Sequence, residues 1–158
     1  MPLMNLSHKS KIIGKSGEFK VYRDVLLLRN GTWTDSVSMT PTVYSKEAIN
    51  KFGKNWSENY LNNDHSRAVT DRLGFVKNPY GVGGKLYGDL YILRKTSTQK
   101  DTIALIEAGL VNHLSVEVLT EDEWNSDEQK NYVSSMEFVG TAVCTEPACE
   151  DTYIKKDD

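Results

Sequence analysis

A serine and a histidine are the residues of this chain that could do chemistry together. Ser115 lies in the segment Val111 to Leu119, whose polar and apolar residues alternate with the period of two expected of a half-buried strand. His65 lies in the polar stretch Asn62 to Ser66, which is typical of a connection. A serine hydroxyl is a weak nucleophile at neutral pH unless a neighbouring imidazole removes its proton. If the fold brings them together, the pair predicts a nucleophile and its general base.

Each of the two side chains also has an ordinary structural interpretation. Polar strand residues and loop histidines mostly face solvent, and on the residues alone this is the better interpretation of both Ser115 and His65. The chain order excludes little, since such pairs recur in several orders on unrelated folds. The third group that would orient the base, an acid or a second histidine, stays open.

Two predicted helices and a turn would position the pair. The helix Thr98 to Ala108 carries a capping-box pattern of Thr98 with Asp101 and has Gly109 at its C′ position, and the Ser115 strand follows at once. An earlier helix is predicted from Ser45, its cap, to about Leu61. The polar turn that ends this helix carries His65.

The rest of the chain is rich in predicted strands that arrive as hairpins. A strand over Gly17 to Leu28 is expected to form a hairpin through a type I′ turn at Asn30-Gly31, and Pro41 indicates a connection. The acidic segment from Thr120 to Asn131 is expected to be a solvated excursion in which Thr120 and Glu123 cap a short helical turn. The other expected strands are Leu73 to Asn78 and Leu86 to Arg94, joined by a glycine-rich turn, and Tyr132 to Thr145.

These elements predict an α+β, strand-rich fold, a small antiparallel β-barrel with flanking helices. The length of 158 residues fits one domain. We expect a flexible lead-in over residues 1–16, a single domain over 17–154 and a short tail over 155–158.

Composition argues against several classes of function. A formal net charge of −3, with 19 basic and 22 acidic residues mixed along the chain, gives no basic stripe, so nucleic-acid binding is not expected. No long apolar run or signal peptide is visible, so we expect no membrane association and a cytosolic location. Cys144 and Cys149, the two cysteines, fall short of a zinc site, and the GVGG turn lacks the lysine of a phosphate loop. No cofactor or metal is expected.

Four segments taken in order resemble the phage prohead maturation protease family, which is related in fold to the herpesvirus capsid-assembly proteases. They are NDHSRAVTDRLGFVKN, GGKLYGDLYI, TIALIEAGLVNHLSVEV and AVCTEPACEDTYI, and they span roughly residues 18 to 154. The resemblance implies a serine endopeptidase that cuts scaffold and capsid-protein segments inside assembling procapsids in the host cytoplasm. It also implies self-association, and it places the base at His65 and the nucleophile at Ser115.

The resemblance leaves the third catalytic residue open. Where relatives often carry a glutamate in the strand before the Pro-Ala pair, this chain has Gly140. We take Glu137, in the same strand, as the candidate substitute. Its rivals are Asp64, His113 and Glu117, the last two because they flank Ser115 on the same strand face. The alternative function is a catalytically inactive capsid-assembly scaffold or binding module with the same barrel, which Gly140 favours.

Overall fold

A single curled sheet forms most of the molecule. The computed structural model describes residues 16–34 and 40–145. Its strands are β1 (Phe19–Arg29), β2 (Gly31–Trp33), β3 (Thr42–Tyr44), β4 (Tyr60–Asn63), β5 (Arg72–Val82), β6 (Lys85–Leu93), β7 (His113–Asn125) and β8 (Lys130–Cys144). The α-helices are α1 (Lys46–Phe52) and α2 (Ser97–Glu107), and two single 3-10 turns cover Ser16–Glu18 and Val69–Asp71.

The strand order is β1-β6-β5-β4-β8-β3-β2, and β7 pairs with β8. Strand β8 pairs in parallel with both β3 and β4, and the other pairings described here are antiparallel. The sheet curls into a half-barrel, which confirms the α+β, strand-rich prediction. The parallel pairs make the sheet mixed, because β3 and β4 both reach β8 after long excursions of the chain.

The core joins the sheet to both helices. Ile49 of α1 and Ile106 of α2 are at most 1% exposed and pack with strand residues in one apolar cluster. The fully buried strand residues of this cluster include Leu27, Leu61, Leu73, Leu86, Leu90, Ile92, Leu114 and Phe138. Leu114 is buried and Ser115 is half-buried, as the predicted alternation requires, but Val116, Glu117 and Val118 are all half-buried, so the alternation in burial does not continue along β7.

Both helices exist, with corrected ends. Ser45 caps α1 as predicted, but the helix ends at Phe52 and not near Leu61. Gly53 follows it against β5, where an added Cβ would lie 2.8 Å from the backbone N of Gly81. Trp56, whose spacing suggested a longer helix, lies outside it and is buried by stacking on Phe138 of β8, with ring centroids 4.9 Å apart.

Helix α2 begins one residue before the predicted start. Thr96 is its cap, and Thr96 and Gln99 form a reciprocal capping box. The capping box predicted at Thr98 and Asp101 was therefore wrong by two residues. Gly109 has a φ of +76°, as predicted for a left-handed residue after the helix. The strand with Ser115 follows within four residues, so this glycine sets the direction in which the chain enters β7.

Two predicted connections were wrong. Strands β1 and β2 do not form a hairpin: β1 pairs with β6 and β2 with β3, and the backbone N–H of Asn30 donates to Gly84 O at 2.7 Å. Pro41 is followed directly by β3. The burial of a long apolar strand against β6 outweighs a local turn signal.

The acidic segment from Thr120 is mostly exposed, as predicted, but its predicted conformation was wrong. Strand β7 continues through it to Asn125, and a tight turn with Gln129 at a φ of +56° leads into β8. No helical turn forms at Thr120. The glycine-rich turn between β5 and β6 was correct, with Gly83 and Gly84 both at positive φ. The predicted lead-in, the tail, Cys149 and the Pro-Ala pair lie outside the described residues.

Candidate functional site

Strand β7 presents His113, Ser115 and Glu117 on one face, because alternate residues of a strand point the same way. In the β7–β8 register Ser115 lies opposite Ala142, and Glu117 lies opposite Gly140. Ala142 in turn pairs with Asn62 of β4. The serine therefore belongs to a row of residues that crosses three adjacent strands and ends beside the His65 turn.

Small residues of β8 leave room for the Glu117 side chain. A Cβ added to Gly140 would lie 3.6 Å from both Cδ and Oε1 of Glu117, so the carboxylate lies beside this glycine. The Glu117 side chain is 13% exposed, which makes it well shielded for a glutamate. The Glu117 carboxylate is therefore shielded from solvent at the place where β7 faces Gly140 of β8.

The turn after β4 brings His65 to the same place. Asp64 adopts a φ of +52°, and its backbone N–H donates to Val143 O at 2.8 Å, which fastens the turn to β8. Further along, the Ser66 hydroxyl donates to Asp71 Oδ2 at 2.6 Å and accepts from the Ala68 N–H at 3.2 Å. These bonds shape the loop from Asp64 to Asp71, called the base loop below because it carries His65.

Glu117 is the point where the base loop and β7 meet. His65 Nδ1 lies 3.5 Å from Glu117 Oε1, and Arg67 Nη2 donates to Glu117 Oε2 at 2.7 Å. Oε1 is buried and receives no hydrogen bond from the described residues. An oxygen in that state favours a donor, and the nearest ring nitrogen of His65 is the group that faces it.

This arrangement can prepare an imidazole to act as a base. A carboxylate that faces Nδ1 favours the tautomer with its proton on Nδ1, which leaves the lone pair of Nε2 free to accept another proton. Ser115 lies two residues before Glu117 on the same face, an interval of about 7 Å along the strand. Among the described residues the structure records a contact of His65 with Glu117 but no hydrogen bond between His65 and Ser115.

The candidates for the third group lie at different places. Glu137 is opposite Leu119, two residues beyond Glu117 and on the side away from Ser115. His113 is opposite Cys144, on the other side of Ser115. Asp64 is exposed, and its positive φ serves the turn. Of the four candidates, Glu117 is the one for which the structure records a contact with His65.

Arg67 is the residue of this cluster that sequence reasoning missed. Its one available signal was its spacing, two residues after His65 in the same polar stretch, and that spacing does not indicate a partner fifty residues away in sequence. In the ranges 16–34 and 40–145, no group of three or more His, Cys, Asp or Glu side chains could hold a metal ion. Within the same ranges, no helix is long and apolar enough to cross a membrane.

The chain was compared with family models, curated proteins and solved structures. No family model matches the chain, and no curated protein matches it. The chain is similar to the structure of the bacteriophage T4 capsid assembly protease, gp21, with 13% sequence identity and a TM-score of 0.49. The similarity covers 82% of this chain and 96% of that chain.

Proposed function

We propose that this chain is a serine endopeptidase that cleaves scaffold and capsid-protein segments during viral prohead maturation. Ser115 is the nucleophile, His65 the general base, and Glu117 the group that orients the base. The observation that carries the assignment is the Glu117 carboxylate, which faces His65 Nδ1 at 3.5 Å and shares a strand face with Ser115. The ordered sequence motifs support the choice of substrate class.

The reaction relays a proton through His65 once in acylation and once in deacylation. The Ser115 hydroxyl oxygen attacks the peptide carbonyl carbon while His65 Nε2 takes its proton, and backbone N–H groups stabilise the oxyanion. His65 then donates that proton to the departing amine as the C–N bond breaks. A water oxygen then attacks the acyl carbon while His65 Nε2 takes a proton from the water, and His65 returns this proton to the Ser115 oxygen as the ester bond breaks. Throughout, Glu117 holds the ring and offsets the positive charge of the imidazolium.

In this proposal Glu117 orients the base, which is the role that the sequence predicted for Glu137. The proposal supplies a carboxylate from β7 where the sequence resemblance led us to expect one from β8. In this proposal Gly140 lies beside the orienting carboxylate and does not have to supply one. The inactive-scaffold alternative loses the feature that favoured it, because a carboxylate lies beside the glycine after all.

Coexpression tests the proposal directly. The chain is expressed with the scaffold and capsid proteins encoded beside it, and mass spectrometry locates any cuts. We expect defined cuts that vanish in Ser115→Ala and persist in Ser135→Ala, a matched half-buried serine of β8. Cuts that persist in Ser115→Ala would remove Ser115 from the mechanism. A folded wild-type chain that cuts none of its neighbours would favour the inactive assembly module.

The proposed setting is the host cytoplasm, within procapsids, with self-association as a condition of activity. A dilution series checks this condition: specific activity is expected to rise with protein concentration or on assembly. Equal specific activity of a dilute monomer and of the assembled protein would contradict it.

A further inference from the structure

We propose that Arg67 is a positioning residue that fixes the Glu117 carboxylate and so couples the base loop to the nucleophile strand. The inference rests on the proposed function, which it extends by a residue outside the catalytic three. It starts from the shortest ion pair at the site, Arg67 Nη2 to Glu117 Oε2 at 2.7 Å. The bond joins a guanidinium to a carboxylate, so it is charge-assisted and belongs to the stronger class of hydrogen bonds, and its length is typical of that class.

The bond leaves one carboxylate oxygen for the imidazole. A glutamate side chain has several rotatable bonds and would otherwise place its two oxygens in many orientations. With Oε2 held by Arg67, Oε1 is directed at His65 Nδ1, 3.5 Å away, and it lies buried with no donor among the described residues. A contraction of about 0.5 Å turns this contact into a hydrogen bond of ordinary length.

Arg67 and His65 belong to the same loop and contact different oxygens of the same carboxylate, Oε2 and Oε1 of Glu117. The loop is fastened at its start by the bond from Asp64 N–H to Val143 O, and further on by the Ser66–Asp71 pair. Between these points, Glu117 is the side chain of β7 that the loop is recorded to contact. Arg67 therefore helps to set the distance between the loop that supplies the base and the strand that supplies Ser115.

The Arg67 and Glu117 side chains differ in exposure, and this difference helps to distinguish a positioning role of Arg67 from a role in folding stability. The Arg67 side chain is 71% exposed, whereas the Glu117 side chain is 13% exposed. Because the Arg67 side chain lies mostly in solvent, its loss leaves no cavity in the core, although the shielded Glu117 carboxylate then has one donor fewer. Loss of Arg67 is therefore expected to leave the fold intact and to change the orientation of Glu117, and through it the tautomer of His65.

The experiment compares Arg67→Gln and Arg67→Lys with Arg23→Gln. Arg23 offers a matched control, because its exposed guanidinium also faces a shielded carboxylate, Asp89 Oδ2 at 3.5 Å, on another part of the sheet. The probe is a fluorophosphonate, which reacts with an activated serine, and the maximal rate of labelling is measured separately from the concentration for half-maximal rate. Nitrogen-15 NMR of the His65 ring reports its tautomer.

We expect Arg67→Gln to lower the maximal labelling rate about tenfold with an unchanged half-maximal concentration, because the effect acts on activation and not on binding. Its His65 is expected to shift from the Nδ1–H toward the Nε2–H tautomer. Arg67→Lys keeps the positive charge but lacks the planar guanidinium, so its maximal labelling rate is expected to lie between those of wild type and Arg67→Gln. Arg23→Gln is expected to behave as wild type.

The outcomes separate this inference from the proposed function. If wild type is labelled at Ser115 and Arg67→Gln matches it in rate and tautomer, the role of Arg67 is overturned. If wild type is not labelled but Arg67→Gln still shifts the tautomer, the positioning role stands and the peptidase proposal fails. Should Arg67→Gln unfold, Arg67→Met takes its place, since it keeps an unbranched side chain without a donor. A wild-type rate and tautomer in that variant would overturn the role of Arg67.

Discussion

Glu117 and Gly140 lie opposite each other on β7 and β8, and the Glu117 carboxylate lies beside the glycine. The distance from Glu117 Oε1 to the position of an added Gly140 Cβ is 3.6 Å, an ordinary van der Waals contact. The same oxygen faces the His65 ring. The carboxylate that faces the imidazole therefore lies against the backbone of β8 at Gly140, and the first two predictions below concern these two residues.

Glutamine at position 117 is expected to impair catalysis. In Glu117→Gln the amide keeps the shape but no longer offsets an imidazolium charge, so fluorophosphonate labelling of Ser115 should slow by about a hundredfold or more. Glu137→Gln, the matched change in β8, is expected to label as wild type. The reverse result, with Glu137→Gln slow and Glu117→Gln normal, would return the orienting role to Glu137.

Alanine at position 140 is expected to cost stability. The φ of Gly140 is +157°, which an alanine adopts only with strain, so Gly140→Ala should lower the free energy of unfolding by about 1–3 kcal/mol in urea titration. Gly17→Ala is the control, because an added Cβ there meets no atom within 4 Å, and its change should stay within about 0.5 kcal/mol. Equal stability of the two variants would contradict this account of Gly140.

Two adjacent residues of α2 test how that helix packs. Ile106 is 1% exposed and Leu105 is 42% exposed. Ile106→Ala should lower the free energy of unfolding by about 2–5 kcal/mol because it leaves a cavity, whereas Leu105→Ala should change it by about 0.5 kcal/mol or less. Denaturant unfolding monitored by circular dichroism measures both. A larger loss at Leu105 would mean that the helix presents a different face to the core.

Tyr80 provides a prediction about pH. Burial, and then the hydrogen bond that its hydroxyl donates to Asp24 at 3.1 Å, raise the pKa of Tyr80 above the usual value of 10.0. The folded state therefore favours the protonated phenol. Its contribution to stability is present below the unfolded pKa and is lost as the pH rises through the folded pKa.

Ultraviolet titration of the phenolates checks this shift. Replacement of the carboxylate in Asp24→Asn should lower the pKa of Tyr80, with Tyr80→Phe identifying its signal. Because desolvation is the larger cause, part of the shift should remain in Asp24→Asn. An unchanged pKa of Tyr80 in Asp24→Asn would show that Asp24 makes no contribution to the shift.

The sequence by itself determined several local elements of the fold. The Ser45 cap, the turn at Gly83-Gly84, the glycine after α2 and the alternation around Ser115 all depend on neighbours within a few residues. Their conformations follow from backbone sterics, from capping hydrogen bonds and from the period of a strand. These signals act within a short stretch of chain, so they are visible without the fold.

Only the tertiary structure decided which strands pair and which carboxylate meets the imidazole. A turn signal at Asn30-Gly31 gave way because β1 buries its apolar residues against β6. Likewise, Glu117 meets His65 and Arg67 because β4 and β8 run in parallel and carry the base loop toward β7. Such contacts join residues far apart in sequence, and the burial of the whole sheet selects them, so no local pattern could have chosen Glu117 over Glu137.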